Sequence, residues 1–290
     1  MYKLIIFSII GFLAQLVDGS LGMGFGATSA SLLLMFGIAP AIASASIHMA
    51  EIATTAASGA SHLWFKNVDK GILLKLTIPG AISAFVGAAF LSNLPGDLIR
   101  PFISIFLLLL GIYIVVRFLF FNPSLAKNQS PTFSKKFLTP LGLVGGFFDA
   151  VGGGGWGPIT TPILLSRKGI SPKKVIGTVA TSEFAVALFA TLGFVLFLGI
   201  EHIQWFWVLA FMIGGVVAAP IAAWLVKIVP SYLLGVLAGG LIIFTNSITI
   251  IKYLSIPESW STLTSGLIFL LWIIAVLYQF KNRKRFIAID

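Results

Sequence analysis

Four carboxylates stand in apolar surroundings at matching places in the two halves of this chain. The first half reads Asp18-Gly-Ser-Leu-Gly22-Met-Gly24-Phe25-Gly26, and Glu51 follows 33 residues after the aspartate. The second reads Asp149-Ala-Val-Gly-Gly153-Gly-Gly155-Trp156-Gly157, and Glu183 follows after 34. Charge is costly inside a bilayer, and a broken helix survives there only beside protein or water. A duplicated break with duplicated carboxylates points to the central site of a transporter.

The chemistry of such a break is anion binding. After each one a new half-helix starts, at Ala27-Thr28-Ser29 and at Pro158-Ile-Thr160-Thr161. Proline suits a first helical turn because its missing N–H costs nothing there. A helix start exposes N–H groups and a partial positive charge, which favour an anion. Two such starts meeting near the midplane would hold an anion without a buried Lys or Arg, and neither segment contains one. The candidate substrate-binding residues are therefore Gly22, Gly24, Phe25, Gly26 and Thr28, with Gly153, Gly155, Trp156, Gly157, Thr160, Thr181 and Ser182. The competing reading of the glycines is tight helix crossing, to which small residues are suited in membranes.

The carboxylates carry two readings each. Asp18 and Asp149 fall at the end of a first half-helix, where negative charge opposes the dipole. They accept N–H groups freed in the glycine turn, or they contact ligand or cation directly. Glu51 and Glu183 lie well inside helices. A neutral glutamic acid there could donate to an anion, which makes proton coupling natural, or simply hydrogen-bond between helices. His48 lies one turn before Glu51, and its counterpart is Ala180, so the two half-sites are not equivalent. Hydroxyls gather nearby, at Ser29, Ser44, Ser46, Thr54, Thr55, Thr161 and Thr178 besides those named, and most are expected to bond back to helix carbonyls. Asn246 is expected to pack. Trp64, Trp205, Trp207 and Trp260, with His62 and His202, suit interfacial positions.

The elements that must position these residues form two repeats. An offset of 131 pairs Asp18 with Asp149, Gly22 with Gly153, Gly24 with Gly155, Phe25 with Trp156 and Gly26 with Gly157. One inserted residue later Pro40 pairs with Pro172 and Glu51 with Glu183; three more bring Pro95 to Pro230. The expected elements are a broken segment at 4–36 and helices near 41–65, 72–92 and 99–121, then a broken segment at 137–166 and helices near 172–200, 203–227 and 231–253. A last helix near 260–280 stands outside the duplication. The domains read as repeats at 1–121 and 137–254, a cytoplasmic linker at 122–136, and a last helix with basic tail at 255–290. Residues 4–17 resemble a signal-peptide core, but their duplicate at 137–150 marks them as mature structure.

Composition agrees. The chain is 58% hydrophobic and 10% charged, against about 25% charged in a soluble domain. Charge-free runs at 19–50, 76–96, 202–226, 228–251 and 259–280 reach the roughly 20 residues of a spanning helix. A β-barrel would show short alternating segments instead. The fold class is an all-α polytopic membrane protein. Its net charge of +10 lies in short loops and the tail, so it sets topology and is no nucleic-acid signal. With no cysteine, disulfides and thiolate metal sites are excluded, and neither a metal nor a cofactor is expected.

Charge also sets the orientation. If each broken segment enters and leaves on one side, one face receives 16 of the 19 basic residues, leaving Lys3, Arg100 and Lys252 opposite. A single crossing by each would put the 66–75 and 122–136 loops outside, against the positive-inside rule. The expected architecture is therefore two inverted repeats, each a broken re-entrant helix pair plus three spanning helices, with one extra C-terminal helix and a cytoplasmic C-terminus.

The Asp149-Ala-Val-Gly-Gly-Gly-Gly-Trp-Gly-Pro158 block, its partial copy at Asp18, and Thr178-Val-Ala-Thr181-Ser182-Glu183 resemble the sulfite exporter TauE/SafE family, also called 4-toluene sulfonate uptake permeases. The first copy departs from the pattern, with Ala27 where the second has Pro158. The resemblance implies a plasma-membrane carrier of sulfite, sulfonates or other small sulfur-containing or carboxylate anions. The expected partners are such an anion and the lipid bilayer. The alternatives are an uncoupled anion channel and an intramembrane hydrolase built on Ser61 and His62 or Ser46 and His48. Neither pair has a third partner, and neither histidine recurs in the duplicate, so no enzyme is expected.

Overall fold

The computed structural model describes residues 2–120, 133–165, 171–225 and 231–281. Most of the expected linker at 122–136 lies outside them, as do Lys127, Arg167, Lys168, Lys227, Pro230 and the basic tail beyond Lys281. Eleven α-helices make up the described residues: α1 (Tyr2–Leu21), α2 (Phe25–Met35), α3 (Pro40–Trp64), α4 (Lys70–Ser92), α5 (Gly96–Phe120), α6 (Lys135–Gly152), α7 (Trp156–Leu165), α8 (Pro172–Phe197), α9 (Trp205–Leu225), α10 (Ser231–Tyr253) and α11 (Glu258–Lys281). Seven of them, namely α1, α4, α5, α8, α9, α10 and α11, are long and apolar enough to cross a membrane.

Local chemistry explains the boundaries. Pro40 and Pro172 open α3 and α8 at the position proline suits. Asp69 caps α4 by accepting the N–H groups of Gly71 and Ile72 at 2.8 and 3.1 Å. The two breaks are set by backbone that only glycine adopts cheaply: Gly22 and its counterpart Gly153 have φ of 68° and 70°. In each case the helix stops and a short one restarts. At 11 and 10 residues, α2 and α7 are each about 15 Å long, half a bilayer core. Their first limbs are longer: α1 has 20 residues and α6 has 18.

Packing follows the duplication. Helix α4 lies along α6 as α9 lies along α1; α4 lies on α8 as α9 lies on α3. Across the pseudo-symmetry, α3 meets α8 and α5 meets α10. Single residues repeat the same exchange. A side chain at Gly80 would strike the Trp156 ring and Val186; one at Gly215 would strike the Phe25 ring and Thr54. The N–H of Asp69 donates to Thr178 Oγ1 at 2.8 Å, and that of Gln204 donates to Ser46 Oγ at 3.1 Å. Small residues let these helices approach closely. Helix α11 lies on α10 at the edge of the bundle, tied by Trp272 Nε1 donating to the Val236 carbonyl at 3.2 Å.

Candidate functional site

The two breaks lie against each other. A Cβ on Gly26 would meet the Gly153 carbonyl oxygen at 2.6 Å and Gly154 Cα at 2.7 Å. A Cβ on Gly157, its counterpart, would meet the Gly22 oxygen at 2.5 Å and Met23 Cα at 2.6 Å. These glycines thus bring backbone to backbone, which realises the tight-crossing reading at the very place where the helix starts converge. Thr161 Oγ1 ties the crossing by donating to the Gly22 carbonyl at 2.6 Å.

The aspartates close the turns. Asp149 Oδ1 accepts the N–H groups of Gly155 and Trp156 at 2.7 and 2.8 Å, so it caps the start of α7. Asp18 Oδ1 accepts only the Phe25 N–H at the start of α2, at 3.4 Å. Charged caps on good geometry are strong and the second distance is near the limit of hydrogen bonding, so the first break is held more loosely.

The carboxylates gather here. Asp18, Glu51, Asp149 and Glu183 are all 5% exposed or less. Glu183 on α8 lies within electrostatic reach of the other three. Glu51 Oε1 points to Gly26, 2.9 Å from where its Cβ would stand, and Oε2 has no hydrogen-bond partner. His48 joins them from α3. Its Nε2 is 3.2 Å from Asp149 Oδ2 and 3.9 Å from Glu51 Oε2. One donor atom each from His48, Glu51 and Asp149 falls within 4.8 Å, spacing that a small positive species would satisfy.

The remaining predicted residues take supporting places. Trp156 is fully buried, and its Nε1 donates to Ser182 Oγ at 3.1 Å. Phe25, its counterpart, is 1% exposed and meets Phe211 edge-on at 6.2 Å. Thr160 and Thr181 donate to their own helix, to the Trp156 and Gly177 carbonyls at 2.6 Å each. Thr28 is the polar residue in the lining of a cavity of about 410 Å³ between α1, α2, α10 and α11, otherwise walled by residues such as Leu13, Leu32, Leu241 and Trp272. That apolar wall offers an anion nothing, so the polar crossing is the better candidate site. Asn246 donates to Ser31 Oγ at 2.7 Å, tying α10 to α2.

Two placements differ from expectation or escaped it. His62, expected at an interface, is fully buried and bonds the Gly19 carbonyl at 3.1 Å, because α3 runs through the centre of the bundle to its end. The contact of His48 with Asp149 joins residues 101 apart, and no spacing rule finds it. The signal available was a histidine one turn from a buried glutamate.

A family model described as "Sulfite exporter TauE/SafE" matches residues 7–249. The chain is 57% identical over 279 residues to the "Probable membrane transporter protein YtnM" of Bacillus subtilis (strain 168), covering 96% of this chain and 93% of that protein. No solved structure matches.

Proposed function

We propose a specific role on a plain premise: the chain belongs to the sulfite exporter TauE/SafE family and is a multi-pass membrane transporter. The role is that of a secondary transporter moving small sulfur-containing or organic anions, such as sulfite or sulfonates, across the plasma membrane with proton coupling. The observation that carries it is the crossing of two helix starts beside four buried carboxylates. The helix starts supply an anion with N–H donors and positive dipole ends. The carboxylates supply groups that must gain a proton, or a neighbouring positive charge, before an anion is tolerated beside them.

The repeats are inverted on this reading, with the C-terminus in the cytoplasm. The charge distribution supports it, since basic residues concentrate on the loops that one face would carry. The half-span lengths of α2 and α7 support re-entry. Hydrolysis has no support, because the His48 ring faces Asp149 while Ser46 Oγ donates to the Ile42 carbonyl at 2.8 Å.

Proteoliposomes test the role. Uptake of radiolabelled sulfite, thiosulfate and simple alkyl sulfonates is measured with and without an imposed pH gradient. Saturable uptake that accumulates against the anion gradient when pH is imposed is the expected result. Conductance without accumulation would make the protein a channel, and absence of flux for every anion would sink the substrate class.

A further inference from the structure

The tautomer of His48 can be read from its neighbours. Its Nδ1 lies 2.8 Å from the carbonyl oxygen of Ser44, which can only accept, so Nδ1 carries a proton. Ser44 Oγ gives its own proton to the Ala150 carbonyl at 2.6 Å, so toward Nδ1, at 3.2 Å, it also accepts. Nε2 is left facing Asp149 Oδ2 at 3.2 Å and Glu51 Oε2 at 3.9 Å. A bare Nε2 would set a lone pair against two carboxyl oxygens in a fully buried place. Burying such a group unpaired is costly, about 1–3 kcal/mol or more. A proton between Nε2 and Oδ2 turns the same geometry into an ordinary hydrogen bond.

We infer that the His48–Asp149 pair is the proton site of the transport cycle, and that Asp149 relays its charge state to the start of α7. The inference rests on the proposed anion transport and names its coupling residue. Asp149 is the joint because its two oxygens do different things. Oδ2 faces His48, while Oδ1 holds the N–H groups of Gly155 and Trp156. Proton uptake at the pair forms one N–H bond at Nε2 as the bond to the proton's water carrier breaks, and adds one positive charge to the trio. Proton release leaves the Asp149 charge uncompensated and strengthens its hold on α7. An anion approaching the crossing competes with Asp149 for those same N–H groups, so proton and anion favour each other's arrival.

The groups that act on His48 come from two helices: Asp149 on α6 and Glu51 on α3 itself. Asp18 on α1 acts on Glu51, and Glu183 on α8 lies within electrostatic reach of all three acids. The Phe194 ring of α8 covers the imidazole, with centroids 6.0 Å apart. His48 is the single base in this set, and the second repeat has Ala180 in its place.

The test uses the full protein in liposomes holding a pH-sensitive dye. One proton per anion supports about tenfold accumulation per pH unit. His48→Gln should flatten that accumulation and the accompanying proton flux while anion exchange without a gradient continues. Asp149→Asn should likewise abolish the proton flux, because its amide donates to Nε2 and leaves no place for the proton. Should either variant fail to fold, 15N-histidine spectra of the wild type decide the matter. A ring with both nitrogens protonated, lost on alkalinisation together with the proton flux, is expected. Wild-type coupling that survives in His48→Gln overturns the inference and leaves anion transport standing. Flux abolished by EDTA and restored by Zn²⁺ would put a metal cation between the three groups and overturn it equally. If the wild type carries no anion, the functional reading fails first.

Discussion

Truncating the two aspartates should expose an inequality that their matching positions conceal. Asp149→Ala removes the acceptor of two N–H groups held at 2.7 and 2.8 Å, in a place with no access to water. Each orphaned donor costs about 1–3 kcal/mol, so the loss is roughly 2–6 kcal/mol before His48 is counted. Asp18→Ala frees one N–H whose bond is already 3.4 Å long, and should cost about 1 kcal/mol or less. Relief of a buried carboxylate offsets both changes alike, so the difference, about 3 kcal/mol, is the firmer quantity. At roughly 2–4 °C per kcal/mol, Asp149→Ala should melt some 6–12 °C below Asp18→Ala. Thermal unfolding in detergent, followed by tryptophan fluorescence, reads this directly because buried Trp156 sits on the affected turn. Asp149→Asn keeps an acceptor for both N–H groups and should fall between Asp149→Ala and wild type. Equal melting shifts for the two alanine variants, or a larger one for Asp18→Ala, would refute the reading of α7 as the capped and α2 as the slack half.

Other expectations follow from the same geometry. With no native cysteine, Asn93→Cys and Ser255→Cys should react with an impermeant reagent from outside intact cells and Ser134→Cys should not; labelling at Ser134 would overturn the inverted arrangement. Glu183→Gln should keep the fold and anion exchange but lose pH-driven accumulation in proteoliposomes, and full accumulation would leave that glutamate a hydrogen-bonding role alone. Gly157→Ala places a methyl against the Gly22 oxygen and Met23 Cα, both backbone atoms, and should cost about 1–3 kcal/mol in melting measurements together with most transport. Trp156→Phe should be milder, since it gives up only the indole bonds to Ser182 and Val179.

The helices were legible because their ends are written in local chemistry. Pro40, Pro172 and the glycine turns act on their own neighbours, so a reading of neighbours finds them. The expected 172–200 helix stops at Phe197 because Gly199 takes φ of 94° and starts a short 3₁₀ turn. Helix α3 is not among the apolar spans, since Ser, Thr, His and Glu face the centre along its length. What escaped the sequence is what the crossing creates. Gly26 and Gly157 look like places for a ligand until the opposite break is seen filling them. Gly155 looks open, yet a Cβ there would lie 2.9 Å from the Asp149 nitrogen, so a bulky substitution would disturb the cap as well as ligand access. His48 has a neighbour in sequence, Glu51, and a nearer one in space, Asp149, that only the packing of α3 on α6 supplies.

The repeat pattern gives His48, which has no counterpart beside the first aspartate, its weight. Several packing contacts around the crossing have counterparts: Gly80 with Trp156 and Gly215 with Phe25, Thr178 with the Asp69 N–H and Ser46 with that of Gln204. On the proposed inverted reading, such a scaffold would exchange the arrangements of its halves, one half gaining what the other loses. In the proposed cycle Asp18 would then tighten on α2 as Asp149 releases α7. The exchange is also uneven for charge, since Ala180 offers the first aspartate nothing that His48 offers the second. In that cycle a proton bound at His48 would stabilise one arrangement over the other, and a ligand shifts an equilibrium only through such a difference in affinity. The proposed coupling draws its direction from a place where the symmetry is broken, and position 48 breaks it beside the carboxylate that caps α7.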